Sequence, residues 1–111
     1  MTKRKRKAAG GVETNPAASQ AKRTHYATLL RTVSGNDVAT QRARLTAALK
    51  VAPITSFDAR RFLAIYHPSG RIQELRAQGL KILTRRVNQI DDAGVIHPRI
   101  GKFILIGGPH D

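Results

Sequence analysis

The apolar positions change period along the chain, and the change predicts the elements. Tyr26, Leu29, Leu30 and Val33 recur at the spacing of one helix face. Ser19 can cap that segment and Ser34-Gly35 can end it, so a helix is expected over residues 19–33. Val38, Leu45, Ala48 and Leu49 mark the apolar side of a second helix within residues 36–52, with Arg42 and Arg44 pointing more outward. Ala52-Pro53 stops it, because the residue before a proline is pushed out of the helical region. Ile54 is the place for a very short strand. Thr55 can cap a third helix, with Asp58 three residues on in the manner of a capping box and Ala59, Phe62 and Leu63 on one face. A connection over Ala64–His67 leads to Pro68, which suits the first turn of a fourth helix, where a missing N–H costs nothing. Ile72 and Leu75 face inward there, and Gly79 is placed to end the helix in a left-handed conformation. Helical geometry then turns Gly70, Gln73, Glu74 and Ala77 outward, with Ser69 and Arg76 flanking that face.

After Gly79 the period becomes two. Leu80–Ile90 is rich in aliphatic and β-branched residues, Asp91-Asp92-Ala93-Gly94 is a turn signal, and Ile100–Ile106 sets Phe103 and Leu105 against Lys102 and Ile104. Pro98 cannot donate to a ladder, so the second strand is expected to begin after Arg99. The resulting order is that of an α+β winged helix-turn-helix: a three-helix core plus a β-hairpin wing, preceded by an extra N-terminal helix. The expected divisions are a disordered basic arm over 1–18, the N-terminal helix over 19–35, the winged domain over 36–106 and a tail over 107–111. Its core is expected from Leu45, Leu49, Ile54, Phe62, Leu63, Ile72, Leu75, Ile82, Phe103 and Leu105.

Charge adds a partner to this outline. The 111 residues carry 20 Lys and Arg against 7 Asp and Glu, a formal net charge of +13. Such an excess favours polyanions, and nucleic acid is the commonest. No apolar run approaches a membrane span, and the basic start is followed by Ala-Ala-Gly-Gly-Val-Glu rather than a secretory core, so an intracellular protein is expected. Lys3, Arg4, Lys5, Arg6 and Lys7 form a tract that can act as a phosphate-binding arm, a nuclear-localisation signal or a solubilising tail. The apolar stripe of the 19–33 helix can pack on the domain, stay partly frayed, or serve a homodimer or another protein partner.

Catalytic and cofactor signals are not found. There is no cysteine, no Gly-rich loop followed by Lys-Ser/Thr, and the four histidines, His25, His67, His97 and His110, are scattered without a second ligand at helical spacing. Asp91-Asp92 reads as a pair of turn formers. No enzyme, metal or cofactor is expected.

The run Thr40-Gln41-Arg42 to Leu49, then Pro53-Ile54-Thr55 to Ala59-Arg60, then Arg71-Ile72-Gln73-Glu74-Leu75-Arg76-Ala77-Gln78-Gly79 resembles a family of small helix-turn-helix proteins common in bacteriophages and prophages. Ile82-Leu83-Thr84 and Phe103-Ile104-Leu105 fit its strand pair, so the likeness covers residues 40–106. The resemblance implies the fold first, then a double-stranded DNA partner and a bacterial cytoplasm; the role expected is a transcriptional regulator or another site-specific DNA-organising factor. Tyr66-His67-Pro68-Ser69 makes the turn longer than in the simplest such proteins.

On this reading the helix over 68–78 enters the major groove, while the hairpin over 80–106 and the arm meet the backbone. Gln73 can pair with an adenine edge, Arg76 can contact guanine or phosphate, and Ser69 flanks them. Arg85, Arg86 and Arg99 of the hairpin can reach backbone phosphates or a minor groove, and Arg60 and Arg61 can contact phosphate, unless one of them pairs with a neighbouring carboxylate. Arg71 is expected to pair structurally, with Asp58 as its partner. Glu74 either accepts from cytosine or repels phosphate. The competing reading is a protein-interaction module that binds host transcription machinery through the winged helix or the helix over 19–33.

Overall fold

The computed structural model describes residues 12–13 and 16–109, with side chains from residue 20 onward. The basic tract Lys3–Lys7 lies outside the described residues. The elements are β1 (Val12–Glu13), α1 (Pro16–Thr32), α2 (Val38–Val51), β2 (Ile54–Thr55), α3 (Ser56–Phe62), α4 (Pro68–Ala77), β3 (Lys81–Ile90) and β4 (Ile96–Gly107). They form one sheet in the order β1-β3-β4-β2, with β3 and β4 as an antiparallel hairpin, β2 antiparallel to β4, and β1 parallel to β3. This is the expected α+β winged helix with an N-terminal helix.

Two boundaries differ from the sequence reading. The stretch expected as a structureless arm contains β1 and the start of α1, so Ser19 lies inside α1 rather than at its cap. A two-residue edge strand has no local signal of its own; the unpaired edge of β3 recruits it. The second hairpin strand begins at Ile96, not after Arg99. Val87 faces Ile100 while Gln89 faces His97, so β4 carries one residue more than β3 between these pairs. This bulge absorbs Pro98, which has no N–H to donate. Arg99 takes a left-handed φ of 60° there, and its N–H reaches Asn88 Oδ1 at 3.4 Å.

The core is the predicted one, enlarged. Leu45, Leu49, Ile54, Leu63, Ile72, Leu75, Ile82 and Phe103 are buried, with Phe62 and Leu105 packed against them half-buried. Tyr26 and Leu29 of α1 join it, so the apolar stripe of that helix is used within the domain. Burial, assisted by Asp58, pushes the Tyr26 hydroxyl above its ordinary pKa. Ile65 was assigned to the connection but is fully buried. Ala64 adopts φ 53° and the Ile65 N–H returns to the Ala59 carbonyl at 3.2 Å, which turns that side chain into the core.

Arg44 does not point outward. It is 1% exposed, one turn from the buried Gln41. Its Nε donates to the Leu63 carbonyl at 2.7 Å, and Nη1 donates to the Val33 and Gly35 carbonyls at 2.6 and 2.9 Å. A guanidinium has five N–H donors in a rigid fork, so one side chain can cap the ends of both α1 and α3 against α2. Gln41 does related work for the connection: Nε2 donates to the Asn36 carbonyl at 2.8 Å, and Oε1 accepts from the Tyr66 N–H at 3.3 Å.

Candidate nucleic-acid interface

The helix-turn-helix is fixed by the caps expected from sequence. Thr55 Oγ1 accepts from the Asp58 N–H at 3.0 Å and opens α3. Pro68 opens α4, and Gly79 closes it at φ 102°, with the Leu80 N–H on the Leu75 carbonyl at 3.1 Å. The outward face of α4 carries Ser69, Gln73 and Ala77, all exposed.

Glu74 belongs to the back of this helix rather than its reading face. Arg71 grips both its oxygens, Nε to Oε1 and Nη2 to Oε2, each at 2.8 Å, and Arg42 of α2 adds a bond to Oε1 at 2.9 Å. The Arg71 hydrogen bonds, followed by those of Arg42, hold the Glu74 carboxyl below its usual pKa. Arg71 therefore pairs with Glu74, one helical turn away, and not with Asp58. Asp58 instead accepts from Gln89 Nε2 of β3 at 2.8 Å.

A cleft of about 340 Å³ opens between α3, α4 and the hairpin. Arg60 and Ser56 come from α3, Ser69, Gln73 and Arg76 from α4, and Thr84 and Arg86 from β3, with Ile72 and Phe103 beneath. No carboxylate of the described residues lines it. Arg60 and Arg86 are exposed and form no ion pair among the described residues. Gly101, opposite Arg86 on β4, leaves the space this guanidinium occupies: a Cβ there would lie 3.3 Å from Arg86 Nη1.

The predicted cations sort into four positions. Arg60 and Arg86 converge on the cleft beside Gln73 and Ser69. Arg76 also lines it, but its Nε and Nη2 donate to the Ile82 carbonyl at 3.0 and 2.6 Å, and Nη2 to Thr84 Oγ1 at 2.9 Å. Its fork ties α4 to β3, which leaves less of it for a base than the sequence reading gave. Arg85 alternates with Thr84 and Arg86, pairs in register with Lys102 and does not line the cleft. Arg99 sits apart on the bulge. Arg61 is committed elsewhere: it hydrogen-bonds Asp92 of the hairpin turn and lies 5.1 Å from the centre of the Phe62 ring. Arg23 of α1 meets the same two partners, Asp92 at 3.2 Å and the Phe62 ring at 5.2 Å. Asp91 shapes the turn as expected, accepting from the Ala93 and Val95 N–H groups at 2.9 Å and meeting His97 Nε2 at 2.8 Å.

Sequence reasoning missed Ser56, Thr84 and Gly101. Only Gly101 carried a signal, as a glycine interrupting an alternating strand. Among the described residues no group of three or more metal-ligating side chains could hold an ion, and no described helix is long and apolar enough to cross a membrane. The site offers cations, hydroxyls and one amide around an open groove, which is chemistry for holding an anion and reading polar edges.

A family model described as a winged helix-turn-helix domain matches residues 40–107. The matched span runs from α2 to the end of β4 and includes every residue lining the cleft. No curated protein and no solved structure matches the chain.

Proposed function

The chain belongs to the winged helix-turn-helix domain family, and we propose that it binds double-stranded DNA with sequence preference, as a phage-type transcriptional regulator. The cleft carries this reading. Exposed Arg60 and Arg86, which form no ion pair among the described residues, meet Ser69 and Gln73 of α4 in a groove that no described acid lines. In the assigned roles α4 enters the major groove, Gln73 pairs with a base edge, and Ser69 supports it. Arg60 and Arg86 take backbone phosphates, while Arg76 orients α4 against β3. Arg85, beside Lys102, and Arg99 on the bulge are two further separate phosphate contacts of the hairpin, and Lys3–Lys7 act as a phosphate tether. The protein-partner reading is disfavoured at α1, because Tyr26 and Leu29 of its stripe are already buried.

Retention on heparin followed by a gel shift with random duplex tests the reading, and site selection on random DNA then defines the target. Gln73→Ala should cost the selected site about 1–3 kcal/mol of preference and leave the salt slope unchanged. Removal of residues 2–7 takes away five cations, and the slope of log K against log salt should then become shallower by roughly 4–5. No duplex binding above background at low salt would overturn the proposal in favour of a protein partner.

A further inference from the structure

We propose that His67 is a second base-reading side chain and that Gly70 is the seat that positions it. The inference rests on the DNA-binding reading. Glycine is unfavourable inside a helix, yet Gly70 occupies the first turn of α4. A Cβ at this position would lie 2.3 Å from His67 Cδ2, 3.0 Å from Nε2 and 3.2 Å from Cγ. The imidazole thus fills the space over the helix that a residue-70 side chain would take. Gly70 lies opposite the buried Ile72 and Leu75 and one turn before Gln73, so the ring sits over the solvent-facing side of α4, outside the lining of the cleft.

Among the described residues the ring makes no hydrogen bond or ion pair that would explain the seat. His67 is exposed, and its side chain does not cap the helix it precedes. Its Cδ2–Nε2 edge lies against the helix, which turns Nδ1 to the other side. An imidazole N–H aimed into a major groove matches N7 of a purine, an acceptor shared by adenine and guanine. His67 accordingly separates purine from pyrimidine at the base pair next to the one read by Gln73. Gly70 is a positioning residue and touches no base.

The test uses the full chain, the selected duplex and a scrambled duplex. His67→Ala and Gly70→Ala should each lower preference for the selected site about fivefold to tenfold. The double variant should lose no more than either alone, because both remove the same contact. The melting temperature of Gly70→Ala should be unchanged or higher, since alanine favours the helix. Replacing one purine of the site by its 7-deaza analogue should weaken the wild type by the same factor and leave His67→Ala unaffected. A folded Gly70→Ala with full preference, or an equal 7-deaza loss in wild type and His67→Ala, overturns the inference. If Gln73→Ala loses preference while His67→Ala keeps it, this inference fails and the DNA reading stands. If no duplex is bound at all, both fail.

Discussion

The cleft and the hairpin tip hold the same kind of side chain in opposite settings. At the tip, Asp92 takes Arg23 and Arg61, and Asp91 takes His97. In the cleft, Arg60 and Arg86 face the open groove with no acid among its lining residues. A net charge of +13 therefore does not say which cations meet a polyanion. The placement of the acids does. Asp37 caps α2, Asp58 holds Gln89, Glu74 clamps Arg71 and Arg42, and Asp91 and Asp92 organise the turn. Each of these carboxylates is engaged, and none of them lines the cleft.

The contrast depends first on α4 being held in place, which gives the largest expected effect. Leu75 is 2% exposed and Ile72 is 1% exposed beneath the cleft. Leu75→Ala should cost about 2–5 kcal/mol through lost transfer energy and the cavity left behind. Thermal or urea melts read this directly. A loss well under 1 kcal/mol would mean that α4 is not seated on the core as described.

Next come two variants that remove equal charge from the two regions. Arg60→Ala with Arg86→Ala should weaken random-duplex binding about a hundredfold at moderate salt, roughly tenfold for each charged contact. The salt slope should become shallower by about 1.8. Arg23→Ala with Arg61→Ala should change the slope by less than about 0.5, because those cations already face Asp92. Equal slopes for the two variants would show that bulk charge alone governs binding.

These two regions also mark what local sequence could say. The element order, the Thr55, Pro68 and Gly79 signals and most of the core followed from periodicity and capping, which are short-range. The outward placement of Ser69 and Gln73 followed from helix geometry alone. Arg60 and Arg61 were indistinguishable, since Asp92, the residue that separates them, is 31 positions from Arg61. Arg44 was read as outward because an arginine is costly to bury. The carbonyls that accept from its Nε and Nη1 come from three other places, Val33, Gly35 and Leu63. Ile65 fell outside any period because its burial hangs on one left-handed residue, Ala64. Glu74 has a local partner, Arg71 three residues before it, which the sequence reading assigned to Asp58 instead; only its bond from Arg42, 32 residues away, lay beyond local sequence.

A smaller effect comes from converting the tip toward the cleft. Asp92→Asn removes the acid shared by Arg23 and Arg61. Exposed ion pairs are worth about 0–1 kcal/mol, so the fold should be almost unchanged. Two released cations should steepen the salt slope by up to about 1.8 and raise random-duplex affinity a few-fold. An unchanged slope in the gel-shift titration would show that the tip points away from bound DNA.

The smallest effect is a pH dependence that the hairpin tip shares with the α2–α4 contact behind the cleft. The Glu74 carboxyl is held below its usual range first by Arg71 and then by Arg42. Asp91 is held low first by His97 and then by the Val95 N–H. A carboxyl with a depressed folded pKa contributes stability that is present above its unfolded pKa, about 4 for these groups. That contribution is lost as pH falls through the lower folded value. Stability should thus be flat above about pH 5 from these two groups and decline only in more acidic solution. Both carboxyls are solvated, so the decline should be slight. Glu74→Gln should flatten it where α4 meets α2, and Asp91→Asn should flatten it at the hairpin turn. Amide exchange separates the two. The Ala93 and Val95 N–H groups, which donate to Asp91 Oδ1, should lose protection at low pH in the wild type. In Asp91→Asn their protection should no longer depend on pH over that range. If protection at Ala93 and Val95 kept the same pH dependence in Asp91→Asn as in the wild type, the Asp91 carboxylate would not control the turn.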